Sequence, residues 1–277
     1  MIPTALSIAG SDPSGGAGIQ ADLKAFSARG VYGMAAITAL TAQNTTGVAG
    51  VESVSPDFVA SQIAEVLVDV RVDAVKVGMI ASAETARCVA GALERVSAPI
   101  VVDPVMVAKG GAPLLPDNAV NAVREVLLPR ATLLTPNLPE AARLLDAPVA
   151  TDREQIAVQA AALLSLGPRA ILVKGGHLDG GESPDLLVTE GAAIWLEAPR
   201  IATANTHGTG CTLSSAIAAE LAKGQDVESA ARTAKAWLNG AIAAADTLDI
   251  GQGHGPVHHF HALWPSAGAD DQERIET

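Results

Sequence analysis

The sequence predicts an α/β fold with a mostly parallel sheet and helices on both faces. Three observations carry that expectation. Short apolar runs alternate with Ala-rich stretches of helical length, which implies right-handed strand–helix–strand crossovers. The short runs are continuously apolar, as strands buried on both sides must be. The polar and glycine residues gather just after those runs, at one edge of such a sheet.

Taken in order, the expected strands are Thr4–Ala9, Ala35–Leu40, Ala74–Val77, Ile100–Val102, Thr132–Leu134 and Ala170–Val173. A hairpin of Asp185–Thr189 with Ala193–Leu196 follows, turning at Glu190-Gly191. The expected helices are Gly18–Ala28, Asp57–Asp69, Ala83–Arg95, Asn118–Leu127, Leu138–Leu145, Arg153–Leu166, Cys211–Ala222 and Val227–Leu248. No internal repeat or linker interrupts them, so 1–264 reads as one domain and the polar, acidic 265–277 as a disordered tail.

Composition narrows the function. Hydrophobic residues make up 49% of 277 but aromatics only 3%, so the core is built from Ala, Val, Leu and Ile. A net charge of −12 argues against nonspecific binding to nucleic acid or anionic lipid. Two cysteines, Cys88 and Cys211, cannot make a disulfide framework and fit reduced thiols in the cytoplasm. Gly10-Ser11-Asp12 breaks the N-terminal apolar run, so no signal peptide is expected. The uncharged stretch Gly30–Val51 holds Gln43, Asn44 and several threonines, which argues against a membrane helix.

Six strand ends supply the candidate site: Gly10-Ser-Asp12, Gln43-Asn44, Gly78-Met79, Asp103-Pro-Val105, Thr135-Pro-Asn137 with Glu140 one turn later, and Lys174-Gly-Gly176. The first loop superficially matches a dinucleotide fingerprint, but no acidic residue follows at the end of the second strand. A P-loop is excluded because no Gly-Lys-Ser/Thr triplet occurs. A substrate-binding loop flanked by Asp12 and Asp22 accounts for the glycines better.

The run Asn205-Thr-His-Gly-Thr-Gly-Cys-Thr-Leu-Ser-Ser215 opens a long helix. Its glycines and the helix N-terminus suit an anion hole for a transferring phosphoryl group. A thiol at that first turn, Cys211, is expected to have a depressed pKa and to serve as base or nucleophile. The alternative is a small residue packing the helix start, and position alone does not choose. Cys88, in the middle of a helix, reads as core. Asp103, Glu140 and Asn137 suit Mg²⁺, although Asp103 could be a turn residue and Glu140 a helix-dipole partner. Lys174 ends an apolar strand, where an ammonium needs an anion such as phosphate. His254, His258 and His261 could approach one another, but no fourth ligand accompanies them, so packing is favoured over zinc.

These pieces carry a resemblance. The runs Ala9-Gly-Ser-Asp-Pro-Ser-Gly-Gly-Ala-Gly-Ile-Gln-Ala-Asp-Leu-Lys24, Thr38-Ala-Leu-Thr-Ala-Gln-Asn44, Lys76-Val-Gly-Met79, Asp103-Pro-Val-Met106, Thr135-Pro-Asn-Leu-Pro-Glu140, Val173-Lys-Gly-Gly-His177, Asn205-Thr-His-Gly-Thr-Gly-Cys-Thr-Leu-Ser214 and Gly255-Pro-Val-His-His-Phe-His261 occur in this order. The chain thereby resembles the hydroxymethylpyrimidine/phosphomethylpyrimidine kinases of thiamine biosynthesis, in the ribokinase-like superfamily. The resemblance implies a three-layer α/β/α sandwich with a mostly parallel central sheet and a small β flap. It implies ATP and Mg²⁺, a small pyrimidine substrate and a homodimer. Two phosphorylations are implied, first of 4-amino-5-hydroxymethyl-2-methylpyrimidine and then of its monophosphate.

By the same resemblance Gln43 binds the aminopyrimidine, and Gly10, Asp22, Met79 and Val105 line its pocket. Gly208, Thr209, Gly210 and Cys211 form the catalytic turn. Asn137, Lys174, Thr206 and His207 contact the nucleotide, with Asp103 and Glu140 on the metal. Many superfamily relatives carry Asp where this chain has Cys211, and either can take a proton from a primary hydroxyl. The competing readings are a pyridoxal or pyridoxine kinase, a non-catalytic pyrimidine sensor and a Cys-nucleophile hydrolase. One or both of the Gly-rich segments Lys109–Ala112 and His177–Ser183 are expected to be mobile.

Overall fold

The computed structural model describes residues 1–107, 111, 114–178 and 180–264. The expected disordered tail lies outside these residues, as does the loop Lys109–Ala112 apart from Gly111.

One nine-stranded sheet runs through the molecule. Its strands are β1 (Thr4–Ser11), β2 (Tyr32–Asn44), β3 (Gly47–Ser53), β4 (Ala74–Val77), β5 (Ile100–Val102), β6 (Leu133–Leu134), β7 (Ala170–Lys174), β8 (Asp185–Thr189) and β9 (Ala193–Leu196). Their order across the sheet is β3-β2-β1-β4-β5-β6-β7-β8-β9. From β2 to β7 every neighbouring pair is parallel, and the outer pairs β2/β3, β7/β8 and β8/β9 are antiparallel.

The helices are α1 (Gly18–Ala28), α2 (Pro56–Asp69), α3 (Ala83–Ala92), α4 (Asp117–Ala122), α5 (Leu138–Leu145), α6 (Arg153–Leu164), α7 (Thr209–Ala222) and α8 (Val227–Ala243). Strand side chains alternate between two cores. Leu6, Ile8, Val75 and Val77 meet α2–α6 on one face, while Ala5, Ala74, Val101 and Leu133 meet α1, α7 and α8 on the other. This is the expected three-layer sandwich with strands apolar on both sides.

Among the boundaries that differ from the sequence reading, three shape the fold. Strand β2 runs on to Asn44 and turns into β3, a strand the sequence reading missed. This nearly all-exposed hairpin is the small β flap of the expected fold. Helix α4 passes into a π-helical turn at Val123–Leu127 before Leu128-Pro129, since Pro129 has no N–H to continue an α-helix. Helix α8 stops at Ala243, and the rest of the expected span becomes a 3₁₀ turn over Ala245–Thr247. Among the described residues, no helix is long and apolar enough to cross a membrane.

Strand order reverses at β1, which has β2 on one side and β4 on the other. The crevice beyond the carboxyl ends of β1 and β4 is therefore where an open parallel sheet binds ligands. Ser11 and Gly78 mark its lips.

Candidate active site

That crevice widens into a cavity of about 930 Å³. The ends of β1, β2, β4 and β5 bring Gly10, Thr41, Gln43, Met79 and Val105 to it, and those of β6 and β7 bring Asn137, Glu140 and Lys174, while Thr206 also lines it. The turn Gly208–Cys211 also lines the cavity.

The turn is fixed from below. Gly208 has φ 75°, and a Cβ there would lie 1.7 Å from the Gly16 carbonyl oxygen, so only glycine lets the two loops meet. Gly208 is the N-cap of α7, which starts at Thr209, two residues before the sequence reading placed it. The opening N–H groups of a helix have no partner within it and carry partial positive charge. Thr209 Oγ1 donates to the Thr206 carbonyl at 2.7 Å, closing the turn.

Lys174 stands beside this turn. A Cβ on Gly210 would come within 3.2 Å of Lys174 Nζ, so substitution there would press on the ammonium. Nζ lies 2.8 Å from Asp103 Oδ1 and 3.7 Å from Glu140 Oε2. Burial works against the charged lysine, but Asp103 and then Glu140 outweigh it and hold its pKa up. Burial pushes the Glu140 carboxyl up to about 7 against the pull of Lys174, and the nearby Asp103 charge adds to the rise. Asp103 is held low: burial opposes its charge, yet Lys174 and Lys76 outweigh burial. Ser214 Oγ and Thr135 Oγ1 also donate to it, at 3.2 and 3.3 Å. Asn137 and Glu140 form a reciprocal capping box at the start of α5, each side chain accepting the other's N–H at 2.8 Å.

Asp103 and Glu140, two carboxylates facing one ammonium, fit a magnesium ion that takes one or two carboxylates, waters and substrate phosphates. The carboxyl-terminal histidines do not assemble a metal site. Among the described residues no group of three His, Cys, Asp or Glu side chains could hold an ion. His259 pairs with Thr212 Oγ1 at 2.9 Å, His261 packs against Trp237, and His254 bonds the Ala204 carbonyl. His258 and His259 are buried rather than superficial.

Two expected residues sit differently from the sequence reading, and a third differs in its ionisation. Asp22 does not line the cavity. It is fully buried behind it and paired with Lys76 Nζ at 2.9 Å. Ser7 Oγ at 2.6 Å and Ser215 Oγ at 2.7 Å also donate to Asp22. His207, expected at the nucleotide, instead meets Asp12 Oδ2 at 2.8 Å and Gln43 at 3.4 Å, on the wall opposite Lys174. Cys211 lies in the first turn of α7 as expected, half-buried against the cavity, but its thiol pKa is raised rather than depressed. Burial pushes it up to about 11, and the neighbouring Lys76 only partly offsets this. A helix terminus alone does not overcome that desolvation.

The sequence reading gave Lys76 no role. It lies wholly inside an apolar strand, and the rule that singled out Lys174 applies to it equally. It also passed over Lys235, which pairs with Asp185 at 2.7 Å while Asp185 accepts the Gly175 N–H, and so braces the turn after Lys174. Nor did it single out Arg200. Arg200 donates to the carbonyls of Gly176, Leu178, Gly180 and Glu182, strapping down much of the segment expected to be mobile. Arg200→Ala is expected to free this segment, checked by faster limited proteolysis within residues 176–183 than in the wild type.

Comparison with known proteins adds an independent finding. The family model described as phosphomethylpyrimidine kinase matches residues 12–258. A hydroxymethylpyrimidine/phosphomethylpyrimidine kinase of Rhizobium meliloti is 55% identical over 95% of this chain and 99% of its own. One from Escherichia coli is 54% identical over 94% of this chain and 98% of its own. Among solved structures, an ADP complex of Bacillus subtilis pyridoxal kinase superposes with a TM-score of 0.88 at 36% identity, covering 96% of this chain and 100% of that one.

Proposed function

The chain belongs to the phosphomethylpyrimidine kinase family, and from that premise we propose that it phosphorylates 4-amino-5-hydroxymethyl-2-methylpyrimidine and then the resulting monophosphate, with ATP as donor. The observation that carries the proposal is the division of one cavity. Gln43 and Met79 offer a flat, partly polar wall at one end, and Lys174 with the Gly208–Cys211 turn offers an anion cradle at the other. A pyrimidine held at the first end directs its hydroxymethyl group at the second. Use of an adenine nucleotide is supported by the likeness to a kinase solved with ADP.

Each group has a distinct task in this reading. The amide of Gln43 pairs with the ring's amino group and adjacent nitrogen. The N–H groups opening α7 and the Lys174 ammonium stabilise charge on the transferring phosphoryl group. Asp103 and Glu140 would hold Mg²⁺, which neutralises phosphate charge when bound. Homodimerisation and a cytoplasmic location belong to the same proposal.

Cys211 takes the proton of the substrate hydroxyl as the bond to phosphorus forms, with Lys76 stabilising the thiolate. Because burial raises the thiol to about 11, the basic form is scarce at neutral pH and grows as pH rises. The rate of the first step is therefore expected to climb through pH 7–9, and Cys211→Ala to flatten that climb. The second acceptor is already an anion, so Cys211→Ala should slow the first step more than the second. Equal losses in both steps would assign Cys211 a positional role.

Release of ADP from ATP and Mg²⁺ tests the function. Turnover with the hydroxymethylpyrimidine and its monophosphate, and little with pyridoxal, is expected. Preference for pyridoxal would transfer the reading to vitamin B6 salvage, which the pyridoxal kinase superposition keeps in view at a lower identity than the pyrimidine kinases. No turnover with any of them would favour a sensor.

A further inference from the structure

Gln43 is caught between two neighbours whose hydrogen-bonding roles are already committed. Thr41 Oγ1 is within donor reach of both the Ser11 carbonyl at 2.9 Å and Gln43 Oε1 at 3.2 Å, and its single proton goes to the shorter contact, which leaves it to accept from Gln43. On the other side, His207 Nε2 lies 2.8 Å from Asp12 Oδ2. Asp12 is buried, which alone would raise its pKa, yet His207, Ser14 and the Ala17 N–H hold it at about 2. It is ionised and accepts only, so His207 Nε2 carries the proton and donates.

The Gln43 amide has its Oε1 end 3.2 Å from Thr41 Oγ1 and its Nε2 end 3.4 Å from His207 Nε2. In that orientation acceptor meets acceptor on one side and donor meets donor on the other. The two ends of the amide have the same shape, and turning it over repairs both contacts at once. Its NH₂ then donates to Thr41, and its oxygen shares the His207 proton with Asp12. One N–H and one oxygen lone pair are left on the edge facing the cavity, in a fixed order.

We propose that Asp12, His207 and Thr41 lock the Gln43 amide in this turned orientation, and that the lock makes the site select a 4-aminopyrimidine over a 4-oxopyrimidine. A 4-amino ring offers a donor on the exocyclic group and an acceptor on the adjacent ring nitrogen. The 4-oxo ring reverses both. A free glutamine would flip to greet either ring, as its two-ended amide allows. A locked one meets the 4-oxo ring donor to donor and acceptor to acceptor. Asp12 and His207 are thus positioning residues that act through Gln43, and the inference rests on the aminopyrimidine reading of the site.

The test uses the whole chain and calorimetric affinities for two probes, 4-amino-5-hydroxymethyl-2-methylpyrimidine and its 4-oxo analogue. The wild type should prefer the amino compound by about a hundredfold or more, since buried unmatched groups weigh heavily in recognition. Thr41→Val and His207→Leu should each cut that preference about tenfold, chiefly by admitting the oxo compound. His207→Gln, which restores an N–H donor, should keep it within about threefold of wild type. A preference unchanged in Thr41→Val and His207→Leu overturns the lock, as does a wild type that does not discriminate. Should His207→Leu fail to fold, Thr41→Val decides the matter. Turnover of the amino compound by the wild type is scored separately. Its absence alongside intact discrimination would sink the kinase reading and leave the lock standing.

Discussion

Gly208→Ala is expected to lower kcat for both phosphorylation steps by at least about a hundredfold, the scale seen when a donor to a developing anion is lost. The added methyl has no room. It would sit 1.7 Å from the Gly16 carbonyl oxygen, and φ of 75° is costly for alanine besides. Relief requires the turn to lift from the glycine loop, which swings the first N–H groups of α7 away from the phosphoryl position. His207 precedes Gly208 and would move with it, loosening the Gln43 end as well. Steady-state ADP release with each acceptor, alongside a far-ultraviolet circular dichroism spectrum matching wild type, checks the prediction. Gly210→Ala is the milder comparison, because its methyl meets the movable end of Lys174 at 3.2 Å.

Lys76→Met is expected to be the most destabilising single change in the site. It leaves the Asp22 carboxylate buried with two serine hydroxyls and no counter-charge. Breaking a buried ion pair from one side costs about 3–5 kcal/mol. For a chain of this size that corresponds to a fall in Tm of roughly 10 °C, read by calorimetry. The double variant Lys76→Met/Asp22→Leu should recover part of the loss, because the stranded charge is gone. First-step activity should not return with it, since the ammonium beside Cys211 is still missing. Recovery of both together would mean that Lys76 serves the fold alone.

Much of this molecule is legible from its residues because apolar strands and Ala-rich helices leave little choice of face. The β8–β9 hairpin agrees residue for residue with the expectation, and the bounds of α1 and α5 do too. Strand β3 escapes notice because Gly47-Val-Ala-Gly50 has neither a buried face nor β-branched alternation. The location of the site is legible too, since chemistry-bearing residues collect at strand ends. Individual roles are harder. Asp22 and Asp12 flank one glycine loop in sequence, yet Asp22 points into the seam between α1, α7 and the sheet and Asp12 across to His207. Ser14 and the Ala17 N–H hold Asp12 locally, but the partners that set the two roles, Lys76 and His207, are 54 and 195 residues away. Cys211 shows the limit of motif reasoning. Its place in the helix is right, but burial and the distant charges of Lys76, Asp22 and Asp103 act on its pKa, and the motif contains none of those residues.

The most direct measurement of the central claim is mass-resolved product analysis with the protein, ATP, Mg²⁺ and 4-amino-5-hydroxymethyl-2-methylpyrimidine. The account predicts a monophosphate that rises first and is then consumed as a diphosphate accumulates, with two ADP formed per pyrimidine. A reaction that stops at the monophosphate, or yields no phosphorylated pyrimidine, would contradict it.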